Sequence, residues 1–155
     1  MRYLIGLGNY TASDDAVGVR VVEHVVGHGL ARTFEAIELG ARSLDLVAYL
    51  VPETTAILLV DAADLGLAAG EYRFFAPGAV ESRKQLAAMS THEGDVLRVL
   101  ELARQTGARI PPLLLMGIQP QSLAPGIGLS PALESRLREY AAAAACKLEE
   151  MRAVP

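Results

Sequence analysis

A chain of 155 residues with 52% hydrophobic and 21% charged residues can form one soluble globular domain, 1–155, and is too apolar for a disordered protein. Its net charge of −4, without a block of like charge, excludes a typical nucleic-acid protein, and no apolar run reaches the ~20 residues that span a bilayer. The single cysteine, Cys146, excludes an internal disulfide and a multi-cysteine metal site, which favours the cytoplasm.

Two further expectations concern the ends of the chain. Met1 and Arg2 lead directly into an apolar strand pattern, so we expect no signal peptide. Cys146 follows an alanine run in the last predicted helix, and we expect its side chain to be packed in the interior rather than to act as a nucleophile.

The first segment combines a strand, a glycine turn and a pair of acids. The apolar run Arg2–Leu7 predicts a strand buried on both faces, as in a parallel sheet. A helix at about 14–26 should follow, with Ser13 as its N-cap and with Asp14 and Asp15 in its first turn, where acids face the positive end of the helix dipole. Alternating valines in this segment also fit a strand, and the acids before them and the glycines after them decide for the helix.

The rest of the chain alternates strand and helix patterns. We predict further strands at about 33–39, 56–60, 71–76 and 112–118, with helices at about 43–51, after residue 90 and after residue 130. The link at about 64–70 is too short for a crossover helix, so the strands on either side of it should run antiparallel. The order βαβαββαβα predicts a three-layer α/β/α sandwich with about five strands, mostly parallel, and one antiparallel strand.

Each of these later helices has a start signal. Ser43 and Ser130 stand at N-cap positions, and Pro131 occupies a first helical position. Ser90 followed three residues later by Glu93 matches a capping box. These signals fix where the helices should begin.

Three polar side chains should meet at the carboxyl edge of this sheet, where ligands of open α/β sheets bind. Asp15 follows the first strand across its loop, and Asp61 ends the central strand. His92 should begin the helix that runs from that edge down to the start of the last parallel strand, so it should lie beside both acids. Two carboxylates and one imidazole suit a divalent transition metal such as zinc, nickel or iron, with coordination positions left open.

Alternative explanations exist for the same residues. Asp14 and Asp15 can serve only as helix caps, an acid at a strand end is often a turn former, and a histidine in a first helical turn is often exposed. A nucleotide site is also possible, because Gly6-x-Gly8 precedes the helix and Glu38 could bind a ribose. The third glycine of that fingerprint is missing, however, and the two acids would repel a pyrophosphate.

Together these residues resemble the hydrogenase maturation proteases. The resemblance rests on three motifs, Gly6-x-Gly8-Asn9 with Asp14-Asp15-x-x-Gly18, Val60-Asp61-Ala62, and Ser90-x-His92. Length and strand–helix order agree over essentially the whole chain. Members of that family are endopeptidases that remove the C-terminal extension from the large subunit of nickel–iron hydrogenases. One departure is Leu39-Gly40-Ala41-Arg42, where the family often has a glycine pair and a threonine.

The resemblance implies metal ligands and a catalytic role. Asp15, Asp61 and His92 match the residues that bind the metal in the family. Nickel is thought to be carried by the substrate, so we expect no tightly bound cofactor of the protein's own. Asp15 or Asp61 would then activate a water molecule as a general base, in an aspartyl-type reaction.

The resemblance also implies a partner and a cleft. The partner is the precursor of a nickel–iron hydrogenase large subunit, with neither nucleic acid nor membrane involved. The sequence leaves the oligomeric state open, with a monomer as the expectation. The predicted substrate cleft comprises Gly6, Gly8, Asn9 and Gly40. The rival class is a binding module that holds a nucleotide or a free metal and cuts nothing.

Overall fold

The computed structural model describes residues 1–78 and 92–151. Its strands are β1 (Arg2–Leu7), β2 (Glu35–Gly40), β3 (Ala56–Ala62), β4 (Tyr72–Phe75) and β5 (Leu113–Ile118). Its α-helices are α1 (Val17–Gly27), α2 (Glu93–Gln105), α3 (Pro131–Glu134) and α4 (Leu137–Glu150), and two 3₁₀ helices span Ser13–Ala16 and Ser43–Tyr49. No helix in this part of the chain is long and apolar enough to cross a membrane.

All five strands form one sheet in the order β2-β1-β3-β5-β4. The pairs β1–β2, β1–β3 and β3–β5 are parallel, and β4 runs antiparallel to β5. This confirms the predicted, mostly parallel sheet with one antiparallel strand. The antiparallel strand lies at the edge, with β5 inserted between it and β3.

Gln119, directly after β5, anchors the link between β3 and β4. Its side-chain Oε1 accepts hydrogen bonds from the backbone N–H groups of Leu65, at 2.6 Å, and Leu67, at 3.3 Å. Its backbone exchanges hydrogen bonds with Gly70 and Glu71, both at 2.8 Å. The link therefore passes over the carboxyl end of β5 before the chain returns as β4.

Apolar side chains cover both faces of the sheet, which makes the domain a three-layer sandwich. On one face, helices α1 and α4 bury Val17, Val21, Val25, Tyr140, Ala144 and Leu148. On the other, α2 and the second 3₁₀ helix bury Leu46, Val96, Val99, Leu100 and Ala103. Every residue of β3 is buried, as expected for a central strand between two layers. Each fully buried aliphatic side chain contributes about 1.5–3 kcal/mol to this core.

The helix starts differ from those predicted. Ser13 lies in a 3₁₀ turn with a φ of 51°, and its hydroxyl donates to the carbonyl oxygen of Ala124 rather than capping α1. Ser43 is the first residue of its 3₁₀ helix, after Arg42, and its hydroxyl makes no capping bond. Ser130 does occupy the N-cap position of α3, but its hydroxyl donates to Asp14. Ser90 of the predicted capping box lies outside the described residues.

The C-terminal helix also departs from its prediction. It is broken into α3 and α4 by a turn at Ser135 and Arg136. Cys146 is exposed, so its predicted burial was wrong. The buried positions of α4 include Ala144 and Leu148, and a residue two positions after Ala144 faces the opposite side of a helix.

Candidate metal-binding active site

Asp15, Asp61 and His92 lie together at the carboxyl edge of the sheet. One potential ligand atom from each residue falls within 4.8 Å of the other two. The side chains are enclosed, since the three residues are 5%, 0% and 8% exposed. His92 Nε2 lies 3.2 Å from Asp15 Oδ2. The structure thus brings together the three residues that the topology predicted to meet.

Each residue of this triad comes from a different element. Asp15 belongs to the 3₁₀ turn that links β1 to α1, and Asp61 is the penultimate residue of β3. His92 is the N-cap residue of α2. The carboxylate of Asp15 also accepts a hydrogen bond from the N–H of Asn9 at 3.0 Å, and Asp61 Oδ1 accepts one from the N–H of Ala62 at 2.9 Å.

Glycines allow the start of α1 to pack directly against the sheet. A Cβ at Gly18 would lie 2.1 Å from the carbonyl oxygen of Val60, and one at Gly6 would lie 2.4 Å from that of Gly18. Gly8 has a φ of 138°, and a Cβ there would lie 1.9 Å from the carbonyl oxygen of Asp15. These contacts bring the turn that carries Asp15 close to the end of β3.

The same contacts correct the interpretation of Gly6 and Gly8. The space beside each glycine is filled by the backbone at the start of α1, not left for a substrate or a pyrophosphate. Gly6 is therefore not part of a substrate cleft. The main support for a nucleotide-binding module, the glycine pair, disappears with it.

The electrostatics of the triad favour a positive charge. The hydrogen bond with Asp15 raises the pKa of His92 above its ordinary value. Burial opposes this rise, while the negative charges of Asp61, Asp15 and Asp95 add to it. A site that stabilises an imidazolium also suits a divalent cation, which would replace the proton.

The donor set fits such a cation. Bonds of about 2.0–2.2 Å from carboxylate oxygens and an imidazole nitrogen would hold the ligand atoms roughly 3–4 Å apart. The 4.8 Å limit on the present separations requires only small side-chain movements to reach that geometry. Two oxygens and one nitrogen match the preferences of zinc, nickel and iron, and three protein ligands leave positions open.

Comparison with known proteins identifies the family. A sequence profile described as hydrogenase maturation protease matches residues 19–147. The chain belongs to the hydrogenase maturation protease family. The matched part includes Asp61 and His92 but begins after Asp15, so the first acid of the triad rests on the structure and on the sequence motif.

Individual members of the family agree with this assignment. The chain is 32% identical over 123 residues to the hydrogenase expression/formation protein HoxM of Azotobacter vinelandii, covering 77% of this chain and 58% of HoxM. It is 28% identical to the hydrogenase 2 maturation protease of Escherichia coli K12, covering 88% and 84%. The structure resembles the hydrogenase maturating endopeptidase HybD from E. coli, with a TM-score of 0.79, 25% identity and coverage of 96% and 92%. The chain spans less than two thirds of HoxM.

Asp14 has a different role from Asp15 in this family member. Its carboxylate is fully buried and accepts four hydrogen bonds, all from the segment 121–130. The predicted role as a cap of α1 was therefore wrong. Three of these bonds go to Oδ2 and one to Oδ1, so both oxygens of Asp14 are engaged with the segment 121–130. Of the two adjacent acids, only Asp15 is placed to bind a ligand.

A surface groove adjoins the triad of this member of the hydrogenase maturation protease family. It encloses about 290 Å³, and its lining includes Gly8, Asn9, Gly40 and Arg42. Asn9 connects the groove to the triad, because its N–H donates to the carboxylate of Asp15. The lining contains three of the four residues predicted for a substrate cleft and omits Gly6.

Proposed function

We propose that this chain is an endopeptidase that removes the C-terminal extension from the precursor of a nickel–iron hydrogenase large subunit. The observation that carries this proposal is the buried triad Asp15, Asp61 and His92 in a chain of the hydrogenase maturation protease family. Two carboxylates and an imidazole provide both a place for a cation and a base for hydrolysis.

The nickel ion belongs to the substrate in this proposal. The precursor presents nickel already held by its own thiolates, and Asp15, Asp61 and His92 occupy coordination positions that remain open. The composition supports this division, because the only cysteine, Cys146, is exposed on α4 and the chain has no thiolate cluster. Cleavage would then depend on prior insertion of nickel into the precursor.

Water is the nucleophile in the proposed reaction. One carboxylate of the triad accepts a proton from water while the water oxygen attacks the carbonyl carbon of the scissile peptide bond. When the C–N bond breaks, that proton passes to the departing nitrogen, which leaves a new carboxyl group and a new amino group. Asp15 is the preferred base, because the Asn9 N–H and His92 hold its carboxylate beside the groove.

The groove beside the triad is the proposed place for the precursor chain next to the scissile bond. Gly8, Asn9 and Gly40 line it, and a Cβ at Gly40 would meet only the carbonyl oxygen of Gly8, at 3.5 Å, so the absence of a side chain at Gly40 leaves the floor open to an extended peptide. We further propose that the protein acts as a monomer in the cytoplasm. The lone cysteine supports that compartment.

Incubation of the purified protein with precursor tests the proposal. Nickel-loaded precursor should lose a C-terminal peptide, detected by mass spectrometry, and nickel-free precursor should remain intact. Cleavage of both forms at equal rates would refute nickel recognition. Cleavage of neither form would refute the protease function.

A further inference from the structure

The segment 121–130 is fastened to the turn that carries Asp15. The backbone N–H of Ser13 donates to the carbonyl oxygen of Gly126 at 3.0 Å, and the N–H of Gly126 donates to that of Thr11 at 2.9 Å. The N–H of Asp14 donates to the carbonyl oxygen of Ser122 at 3.1 Å. The turn and this distant segment therefore form one hydrogen-bonded unit.

The buried carboxylate of Asp14 adds further hydrogen bonds within this unit. Its Oδ2 accepts hydrogen bonds from the N–H groups of Gln121, at 2.9 Å, and Ser122, at 3.1 Å. The hydroxyl of Ser130 donates to the same oxygen at 2.8 Å, and the N–H of Ser130 donates to Oδ1 at 2.7 Å. A fully buried carboxylate is tolerated only with such partners, so the arrangement is sensitive to any loss of acceptor capacity.

The turn needs this support because its backbone is strained. Ser13 has a φ of 51°, in a region that L-residues other than asparagine and aspartate rarely adopt. Such a conformation persists only where the surrounding structure holds it. Asp14 and Asp15 are consecutive in this turn, yet the first carboxylate reaches the segment 121–130 and the second reaches His92.

We propose that Asp14 is a positioning residue, which lies outside the triad and holds Asp15 in place within it. Its four hydrogen bonds lock the strained turn to the segment 121–130, and the locked turn holds Asp15 at the right place beside Asp61 and His92. The proposal rests on the proposed function, since it assumes that the triad binds nickel. In this proposal Asp14 positions the turn, and Asp15 coordinates the metal.

Asp14→Asn is the sharpest variant. The amide keeps the size of the carboxylate but replaces one acceptor oxygen with an NH₂ group. In either orientation of the amide, at least one backbone N–H of the segment 121–130 then faces a donor. Loss of an outer partner of a metal ligand commonly weakens metal binding about 10–100-fold, and we expect a loss of that size here.

Two further variants complete the set. Ser130→Ala removes the hydroxyl donor while the three backbone bonds to Asp14 remain, so its effect should have the same direction and be smaller. Val25→Ala is the stability control, because Val25 is fully buried in α1, about two turns beyond the start of that helix, and belongs neither to the turn that carries Asp15 nor to the segment 121–130.

The measurement is calorimetric titration of each purified full-length variant with Ni²⁺ alone, together with thermal unfolding and the rate of processing of nickel-loaded precursor. We expect Asp14→Asn to bind Ni²⁺ about 10–100-fold more weakly than the unchanged chain and to process precursor more slowly, although it is folded at the assay temperature. Val25→Ala should lower the melting temperature without changing the affinity for Ni²⁺.

Several results would overturn the proposal. An unchanged Ni²⁺ affinity in Asp14→Asn would do so. Equal losses of Ni²⁺ affinity in Asp14→Asn and Val25→Ala would also do so, because reduced stability alone would then explain the loss. If Asp14→Asn does not fold, Ser130→Ala decides, and wild-type affinity in that variant refutes the proposal. If the unchanged chain processes precursor but does not bind Ni²⁺ alone, the processing rates decide, and a rate in Asp14→Asn equal to that in Val25→Ala refutes the proposal. If the unchanged chain neither binds Ni²⁺ nor processes precursor, the proposed function fails and the positioning role falls with it.

Discussion

Replacement of Gly18 by alanine should damage both stability and activity, because this residue lies where α1 touches the sheet. The added Cβ would lie 2.1 Å from the carbonyl oxygen of Val60 and 2.4 Å from that of Leu7. Both neighbours are backbone atoms of central strands and have little freedom to move. The start of α1 must therefore retreat by about 1 Å to restore an ordinary van der Waals separation.

The expected change in the free energy of unfolding follows from two opposing contributions. Overpacking a tight contact costs about 1–3 kcal/mol, while alanine in a helix interior gains up to about 1 kcal/mol over glycine. Gly27 provides the matched control in the same helix, because a Cβ there would meet nothing within 4 Å. We expect the free energy of unfolding to fall in Gly18→Ala and to stay equal or rise in Gly27→Ala.

The effect on activity should be larger than the effect on stability. Gly18 follows Asp15 by one helical turn, so a retreat of α1 carries the Asp15 carboxylate away from Asp61 and His92. A displacement of about 1 Å can cost roughly 10²-fold in rate. Urea unfolding and the initial rate of precursor processing measure the two effects. A Gly18→Ala variant with the stability and rate of Gly27→Ala would refute the packing argument.

Three further predictions concern residues outside the triad. Gln119→Ala leaves two backbone N–H groups of the link between β3 and β4 without their acceptor, so the free energy of unfolding measured in urea should fall by about 2–4 kcal/mol. A fall below about 0.5 kcal/mol, roughly the low end for one hydrogen bond, would contradict the anchoring role. Burial raises the pKa of Tyr140 from 10.0 to about 12, so the free energy of unfolding should fall as the pH rises from 10 to 12. This fall should be smaller in Tyr140→Phe, and a pH profile identical to that of the unchanged chain would contradict the raised pKa of Tyr140. Cys146→Ser should process precursor at the wild-type rate, whereas an inactive variant would point to a thiol nucleophile.

Much of the fold follows from patterns that a single strand or helix carries. The apolar run of β1 has the bounds predicted for it, Arg2–Leu7, because a strand buried on both faces needs an uninterrupted apolar stretch. The meeting of Asp15, Asp61 and His92 also follows from the sequence. Once the strand order requires a parallel sheet, the carboxyl ends of its strands must share one edge.

The hydrogen bonds of short polar side chains could not be predicted in the same way. Asp14 and Ser13 look like caps because serine and aspartate at a helix start usually bond to nearby backbone. Their partners are instead far along the chain, with Gln121 and Ser130 lying 107 and 116 residues beyond Asp14. No local pattern distinguishes a cap from a long-range hydrogen bond. Only the folded chain shows where the second segment lies.

Two other predictions failed because the local pattern is ambiguous. Cys146 follows five consecutive alanines, Ala141–145, which are equally compatible with a buried and an exposed helix face. Gly6 and Gly8 indicate that something approaches the backbone closely, but glycine does not specify what. In the structure the approaching group is the start of α1 itself.

The most direct test of the central claim compares the triad variants on the proposed reaction. The release of a C-terminal peptide from nickel-loaded precursor should be followed by mass spectrometry for the unchanged chain, Asp15→Asn and His92→Ala. We expect circular dichroism spectra like that of the unchanged chain and a rate reduced roughly 10²–10⁴-fold in both variants. Full processing by both variants would contradict a catalytic role for the triad.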